Sequence, residues 1–248
     1  MEIYMPKYEC QSLLSAQKRA LTYFLNKADY EEQLFKAHFD LLSLQQKISR
    51  KKKKMIIVLE GCDTAGKGGL IRRLGQYMDP RSLHVYATSK PSSEESGQHY
   101  MQRFFSRLPQ PGEISVFDRS WYGRVLVERV EGFAKISEWK RAYSEINNLE
   151  KMLIDDGIFI LKYFLDISYK EQGHRFKERE NNPLKSWKMT EEDYRNRKKW
   201  DAYQIAFKDM KKKTSTKYCP WKFVPADSKW FARINIINDI TKRAEKFF

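Results

Sequence analysis

The sequence predicts an α/β fold, a parallel five-stranded sheet covered by helices on both faces in three layers. Three observations carry this reading. Short apolar runs at 55–60, 83–87, 114–118, 158–164 and 221–224 alternate with longer stretches of helical periodicity, as strands joined by crossover helices do. A glycine-rich turn, Gly61 to Gly69, directly follows the first run, which places a ligand at the carboxyl ends of the strands. The stretch 168–217 is far longer than one crossover helix needs and reads as an excursion from the sheet, a helical lid.

A chain of 248 residues makes one generous domain, or one domain with an accessory element. With 41% hydrophobic and 14% aromatic residues it can fill a sizeable core, which excludes disorder and a disulfide-stapled mini-fold. Lys+Arg number 47 against 32 Asp+Glu, a net charge of +15. Such a field gathers polyanions, so nucleic acid, nucleotides, anionic membranes and inorganic phosphate chains are all candidate partners. Cys10, Cys62 and Cys219 are odd in number and widely spaced, pointing to a reducing, cytoplasmic setting without structural zinc. The opening residues lack a basic stretch followed by an apolar one, and the longest apolar run is far short of the roughly 20 residues that span a bilayer. Neither export nor membrane insertion is expected.

Taken in order, residues 1–54 form an N-terminal helical segment packed on the core, with Leu21, Phe24, Leu25, Leu34, Phe35, Phe39 and Leu42 at helical spacing. Arg50 to Lys54 is a charge run ahead of the first strand, read as solvated rather than as a nucleic-acid patch. Residues 55–248 form the core, with the lid inserted at about 168–217.

After the first strand, Gly61, Thr64, Ala65, Gly66, Gly68 and Gly69 form a loop opening a helix, the setting in which backbone N–H groups wrap phosphates and Lys67 reaches terminal oxygens. Gly68 stands where Ser or Thr ordinarily gives a metal its hydroxyl ligand, so a metal must be held by something else. Asp63, inside the loop, either supplies that carboxylate or caps the turn. The third strand ends in Asp118-Arg119. There the carboxylate can hold a metal and the guanidinium can offset charge on a transferred phosphoryl group, or the two can form a structural ion pair. Two acids converging on one phosphate site favour a Mg²⁺-dependent phosphoryl transferase, with two ions conceivable.

Further basic residues fall on loops and helices leaving strand ends: Lys90, Arg103 and Arg107, then Arg124 and Arg129. The lid, between residues 170 and 217, carries fifteen Lys/Arg against eight Asp/Glu, +7 of the chain's excess. It reads as two helices, about 169–179 and 190–210. Thr190 and Asp193 resemble a capping box, and Trp200, Tyr203 and Phe207 form an apolar stripe read as core packing rather than a base-stacking platform. Arg175 and Arg179, four apart, share a helical face suited to gripping phosphate.

Four long motifs, GCDTAGKGG, KPSSEESGQHYMQRFFSRLPQPGEISVFDRSWYGRVLVERV, HRFKERENNPLKSWKMTEEDY and TKYCPWKFVPADSKWFARINIINDI, resemble in order and spacing the polyphosphate kinase 2 family. The resemblance implies a thymidylate-kinase-like P-loop kinase core with a lid. It implies Mg²⁺-dependent transfer of a phosphoryl group between inorganic polyphosphate and a nucleotide, most often ADP or GDP to ATP or GTP, and assembly as a homotetramer or homodimer. It assigns the Walker A acid and lysine to Asp63 and Lys67, the Walker B pair to Asp118 and Arg119, and the lid arginines to Arg175 and Arg179; the Gly68 variant occurs in the family. No specific nucleic acid and no membrane partner is implied. Two other readings stand beside it. One is a P-loop kinase moving phosphate from ATP to a nucleotide or metabolite, which leaves the positive charge unexplained. The other is a nucleic-acid-binding ATPase, for which the lysine runs at 51–54 and 211–213 speak but no DNA-reading helix or RNP-type strand does.

Overall fold

A computed structural model of the chain describes residues 26–248. The first helix, α1 (Lys27–Arg50), starts where the Asn26 side chain accepts from Asp29 N, satisfying one of the orphan donors at a helix start. Its inner face is Tyr30, Leu34, Ala37, Leu41, Leu44 and Ile48, spaced at three and four. Phe35 and Phe39, grouped with Leu34 by sequence, are instead 72% and 66% exposed. One residue turns a helix by about 100°, so Phe35 cannot share the face of Leu34. Leu21, Phe24 and Leu25 lie outside the described residues.

Five parallel strands follow: β1 (Lys54–Gly61), β2 (Leu83–Ala87), β3 (Ile114–Asp118), β4 (Ile158–Asp166) and β5 (Trp221–Pro225), in the spatial order β2-β3-β1-β4-β5. Each expected run is a strand, and β4 continues two residues beyond its expected end. β1 lies at the centre, buried from Met55 to Glu60, as a strand covered on both faces must be. Because β3 pairs directly with β1, Leu59 registers with Asp118, and the loops leaving these two strands open side by side. Helices α2 (Lys67–Leu74), α3 (Ser93–Ser96), α4 (Gln102–Phe105), α5 (Val127–Glu131) and α6 (Ile136–Asp155) fill the connections as far as β4. The chain closes with α10 (Lys229–Phe247), which packs beside α1.

A polar cluster lies inside the apolar core. Lys162 and Glu150, both 0% exposed, pair at 2.7 Å. Lys162 Nζ also donates to Tyr122 OH and Thr214 O, each at 2.8 Å, and Tyr122 OH donates to Glu150 at 2.7 Å. This ties β4 and α6 to the 3-10 turn Trp121–Val125, which carries Arg124 next to the site.

The lid excursion consists of α7 (Tyr169–Glu180), a short 3-10 turn (Ser186–Lys188), α8 (Glu191–Lys198) and α9 (Trp200–Thr214). The Thr190–Asp193 capping box forms as the sequence indicates. The single helix expected over 190–210 breaks at Lys199. Of α8 only Asp193 is buried, so little packing favours a continuous helix across the break. No helix among the described residues is long and apolar enough to cross a membrane.

Candidate active site

The loop after β1 has the backbone its glycines allow. Gly61 has φ +143°, and a Cβ there would sit 2.5 Å from Leu165 O across the sheet, so no side chain fits. Gly66, φ +111°, starts α2 in a left-handed conformation. Lys67 Nζ folds back to donate to Gly61 O at 2.7 Å and Cys62 O at 3.2 Å. Thr64 Oγ1 is buried with no hydrogen-bond partner. A Cβ on Gly68 would meet nothing within 4 Å. A serine or threonine would fit there, and the missing hydroxyl is not a packing requirement.

Asp63 is held from three sides. Its Oδ1 accepts from Arg119 Nη2 at 2.8 Å, its Oδ2 from Asn196 Nδ2 at 2.8 Å, and its carbonyl from Gln172 Nε2 at 3.3 Å. Arg119 has a positive φ of 63°, and its Nη1 lies 3.6 Å from Glu192. Burial works against the Arg119 charge, but Asp63, Glu192, Glu60 and Asp118 together raise its pKa. The Asp118 carboxylate thus belongs to the same electrostatic cluster, half-buried at the end of β3. Glu60, the last fully buried residue of β1, accepts from Ser120 N and Oγ at 2.9 Å each. Burial pushes its pKa up to about 7, against the pull of Lys67, Ser120 and Arg119.

A cavity of about 1050 Å³ opens above this cluster, at the upper end of the usual range for small-molecule pockets. Its wall includes Gly61 and Asp63 from the phosphate loop, Arg119, and the lid residues Gln172, Glu192, Arg195 and Asn196. Lys90, Arg103 and Arg124, singled out by sequence, also line it. Lys90 is exposed. Arg103 pairs with Glu95 at 3.3 Å, and Arg124 sits 4.5 Å over the Tyr100 ring beside Glu128.

Four other arginines singled out by sequence are not brought to the cavity wall. Arg107 lies over the Tyr86 ring at 5.7 Å. Arg129 donates to Asp209 and Tyr143 and covers the Trp139 ring at 4.3 Å. Arg179 is half-buried, its charge felt by Asp193. Arg175, its side chain 3% exposed, faces the back of the phosphate loop. It donates to Glu171, to Thr64 O and Ala65 O in the loop, and to Ala226 O and Asp227 O after β5. Those acceptors occupy all five donors of a guanidinium.

Trp200, Tyr203 and Phe207 do pack into the core as expected, and they also form part of the cavity wall. Sequence reasoning missed Glu60, Gln172, Glu192, Arg195 and Asn196. Only Glu60, an acid inside an apolar strand, left a signal in the sequence.

Asp63 and Asp118 are hard oxygen donors of the kind Mg²⁺ takes, and the orphaned Thr64 hydroxyl adds an uncommitted polar atom in the loop. Among the described residues no group of three or more His, Cys, Asp or Glu could hold a metal ion. That donor set fits Mg²⁺, which keeps several waters and binds through one or two carboxylates together with substrate phosphates.

The chain is similar to proteins of one kind. It is 43% identical over 228 residues to a polyphosphate:AMP phosphotransferase from Pseudomonas syringae pv. tomato, covering 92% of this chain and 46% of that protein. It is 40% identical over 219 residues to an ADP-polyphosphate phosphotransferase from Pseudomonas aeruginosa, covering 88% and 72% of the two chains. The crystal structure of polyphosphate kinase 2 from Arthrobacter aurescens superposes with a TM-score of 0.88 at 34% identity, over 93% of this chain and 83% of that one. The chain spans less than half the length of the polyphosphate:AMP phosphotransferases it matches. With a match to the polyphosphate kinase 2 family over residues 24–247, the chain belongs to that family.

Proposed function

We propose that this chain moves a phosphoryl group reversibly between inorganic polyphosphate and a nucleotide, chiefly making a nucleoside triphosphate from ADP or GDP. The observation that carries the reading is one cavity whose wall joins Gly61, Cys62 and Asp63 of the phosphate loop to Arg119, Arg103, Arg124 and Lys90. Such a site can hold a phosphate chain and a nucleotide phosphate in line. A second reading, AMP as acceptor, is favoured by the 43% identity to a polyphosphate:AMP phosphotransferase.

Lys67 leaves the Gly61 and Cys62 carbonyls for phosphate oxygens, and Arg119 offsets charge that develops in transfer. The attacking nucleotide oxygen is already anionic, so no general base is needed. Of the four histidines, His38, His84 and His174 are not on the cavity wall, and His99 faces Glu145. Asp63 and Asp118 would hold Mg²⁺, one ion or two, which when bound neutralises phosphate charge. The lid residues Gln172, Glu192 and Asn196 exclude water that would hydrolyse the chain. Arg175 shapes the loop, and Arg179 acts from the lid.

Homodimeric or homotetrameric assembly belongs to the proposal, supported by the apolar Phe35 and Phe39 on the outer face of α1. A cytoplasmic setting is supported by the unpaired thiols of Cys62 and Cys219. The division into a helical segment, 1–54, and a core, 55–248, with its lid at 168–217 is part of the same reading. The test is incubation with Mg²⁺, polyphosphate and, separately, ADP, GDP, AMP and GMP, with the nucleotide products separated and quantified. Triphosphate from a diphosphate, absent without polyphosphate, is the expected result; phosphorylation that requires ATP as donor would overturn it.

A further inference from the structure

Asp63 receives its second hydrogen bond from the lid. Asn196, in the last turn of α8, donates from Nδ2 to Asp63 Oδ2 at 2.8 Å, and its own Oδ1 accepts from Tyr203 OH at 3.1 Å. Burial, with the charges of Glu131 and Asp63, keeps the Tyr203 phenol protonated. The phenol therefore donates to Oδ1, which fixes the end of the amide that faces Asp63. On the opposite side Arg119 bridges Asp63 to Glu192, again on α8. A ring of polar contacts thus runs from α9 through α8 to the phosphate loop, on to the end of β3 and back to α8.

We propose that Asn196 is a positioning residue, set by Tyr203, that ties closure of the lid to the orientation of Asp63. The role rests on the reading of Asp63 as a working carboxylate of the phosphate loop. When α8 swings away, Asp63 loses the donor that fixes its second oxygen. When α8 seats, that oxygen is aimed and the cavity closed in one movement. A hydrogen bond to a charged group is strong enough to shift such an equilibrium about tenfold. Nothing else on α8 donates to Asp63; Arg195 of the same helix pairs instead with Glu131.

The test is a double-mutant cycle read by two assays. The first is the rate at which trypsin cuts within residues 170–199 of the protein without nucleotide or metal. The second is kcat with polyphosphate and ADP. Asn196→Ala is expected to speed lid cleavage about tenfold when Asp63 is present and less than twofold in an Asp63→Ala background, because coupled residues do not add. Asn196→Asp, equal in size, replaces the amide donor with a carboxylate facing that of Asp63 and should speed lid cleavage at least as much as Asn196→Ala. In both variants kcat should fall more than KM changes.

A change in cleavage of equal size in both backgrounds would show that Asn196 merely stabilises α8 and would overturn the inference, as would wild-type cleavage or wild-type kcat in Asn196→Ala. If the cycle shows coupling while Asp63→Ala keeps full turnover, the link between lid and loop stands and it is the catalytic reading of Asp63 that fails.

Discussion

Arg175 offers the sharpest contrast between a residue's type and its surroundings. As a lid arginine it would grip phosphate, yet its guanidinium is closed off by Glu171 and four backbone carbonyls, two in the phosphate loop and two after β5. Arg175→Lys keeps the charge but offers three donors from a single point, so at least two of the five acceptors lose their partner. Unsatisfied buried carbonyls at about 1–3 kcal/mol each make the loss about 2–6 kcal/mol. For a chain of this size that lowers Tm by roughly 4–24 °C. Thermal unfolding followed by circular dichroism, beside turnover measured well below the lowered Tm, checks the reasoning. A protein with wild-type Tm and turnover reduced about a hundredfold would refute it, because the guanidinium would then be acting on phosphate rather than holding the loop.

Three further outcomes follow from the same geometry. Lys162→Met strands the buried Glu150 carboxylate and costs about 3–5 kcal/mol in urea unfolding, and adding Glu150→Leu recovers part of that loss; a double variant less stable than the single one contradicts this. Glu60, with its pKa raised from 4.5 to about 7, keeps its proton when folded but gives it up when unfolded. Its stabilising contribution is whole below pH 4.5 and lost as pH rises through about 7. Glu60→Gln, whose oxygen can still accept from Ser120, should therefore gain up to about 3 kcal/mol over wild type above neutrality and nothing near pH 4.5. An unchanging difference between the two proteins across that range contradicts the assignment. Asp118→Asn should lower turnover at least about a hundredfold with an unchanged unfolding transition; a folded variant with near-normal turnover removes Asp118 from the reaction.

Local patterns made the sheet legible. β1, β3 and β4 stand out because both their faces are buried, leaving unbroken apolar runs, while the edge strands β2 and β5 are only partly buried and show as shorter runs. The phosphate loop stands out because its glycines meet backbone needs at Gly61 and Gly66. The Thr190–Asp193 cap is read over four residues. What the sequence hid depends on contacts across long separations. Arg107 and Arg129 look like Arg103 and Arg124 in the chain, but Arg107 lies over Tyr86, and Arg129 over Trp139 and bonded to Asp209, off the cavity wall. Asn196 reaches Asp63 across 133 positions, and a lone asparagine in a charged helix carries no mark of that. The break at Lys199 was hidden because the apolar stripe of α9 resumes at once with Trp200.

The central claim is that polyphosphate itself is the phosphoryl donor in the cavity above the loop. Its most direct test is ³¹P NMR of a reaction containing the protein, Mg²⁺, polyphosphate of defined length and ADP, beside the same reaction with Lys67→Met. The account predicts one phosphate unit lost from the chain for each ATP formed, no release of orthophosphate, and no reaction in the folded variant. Orthophosphate in place of ATP, or undiminished transfer without Lys67, would contradict it.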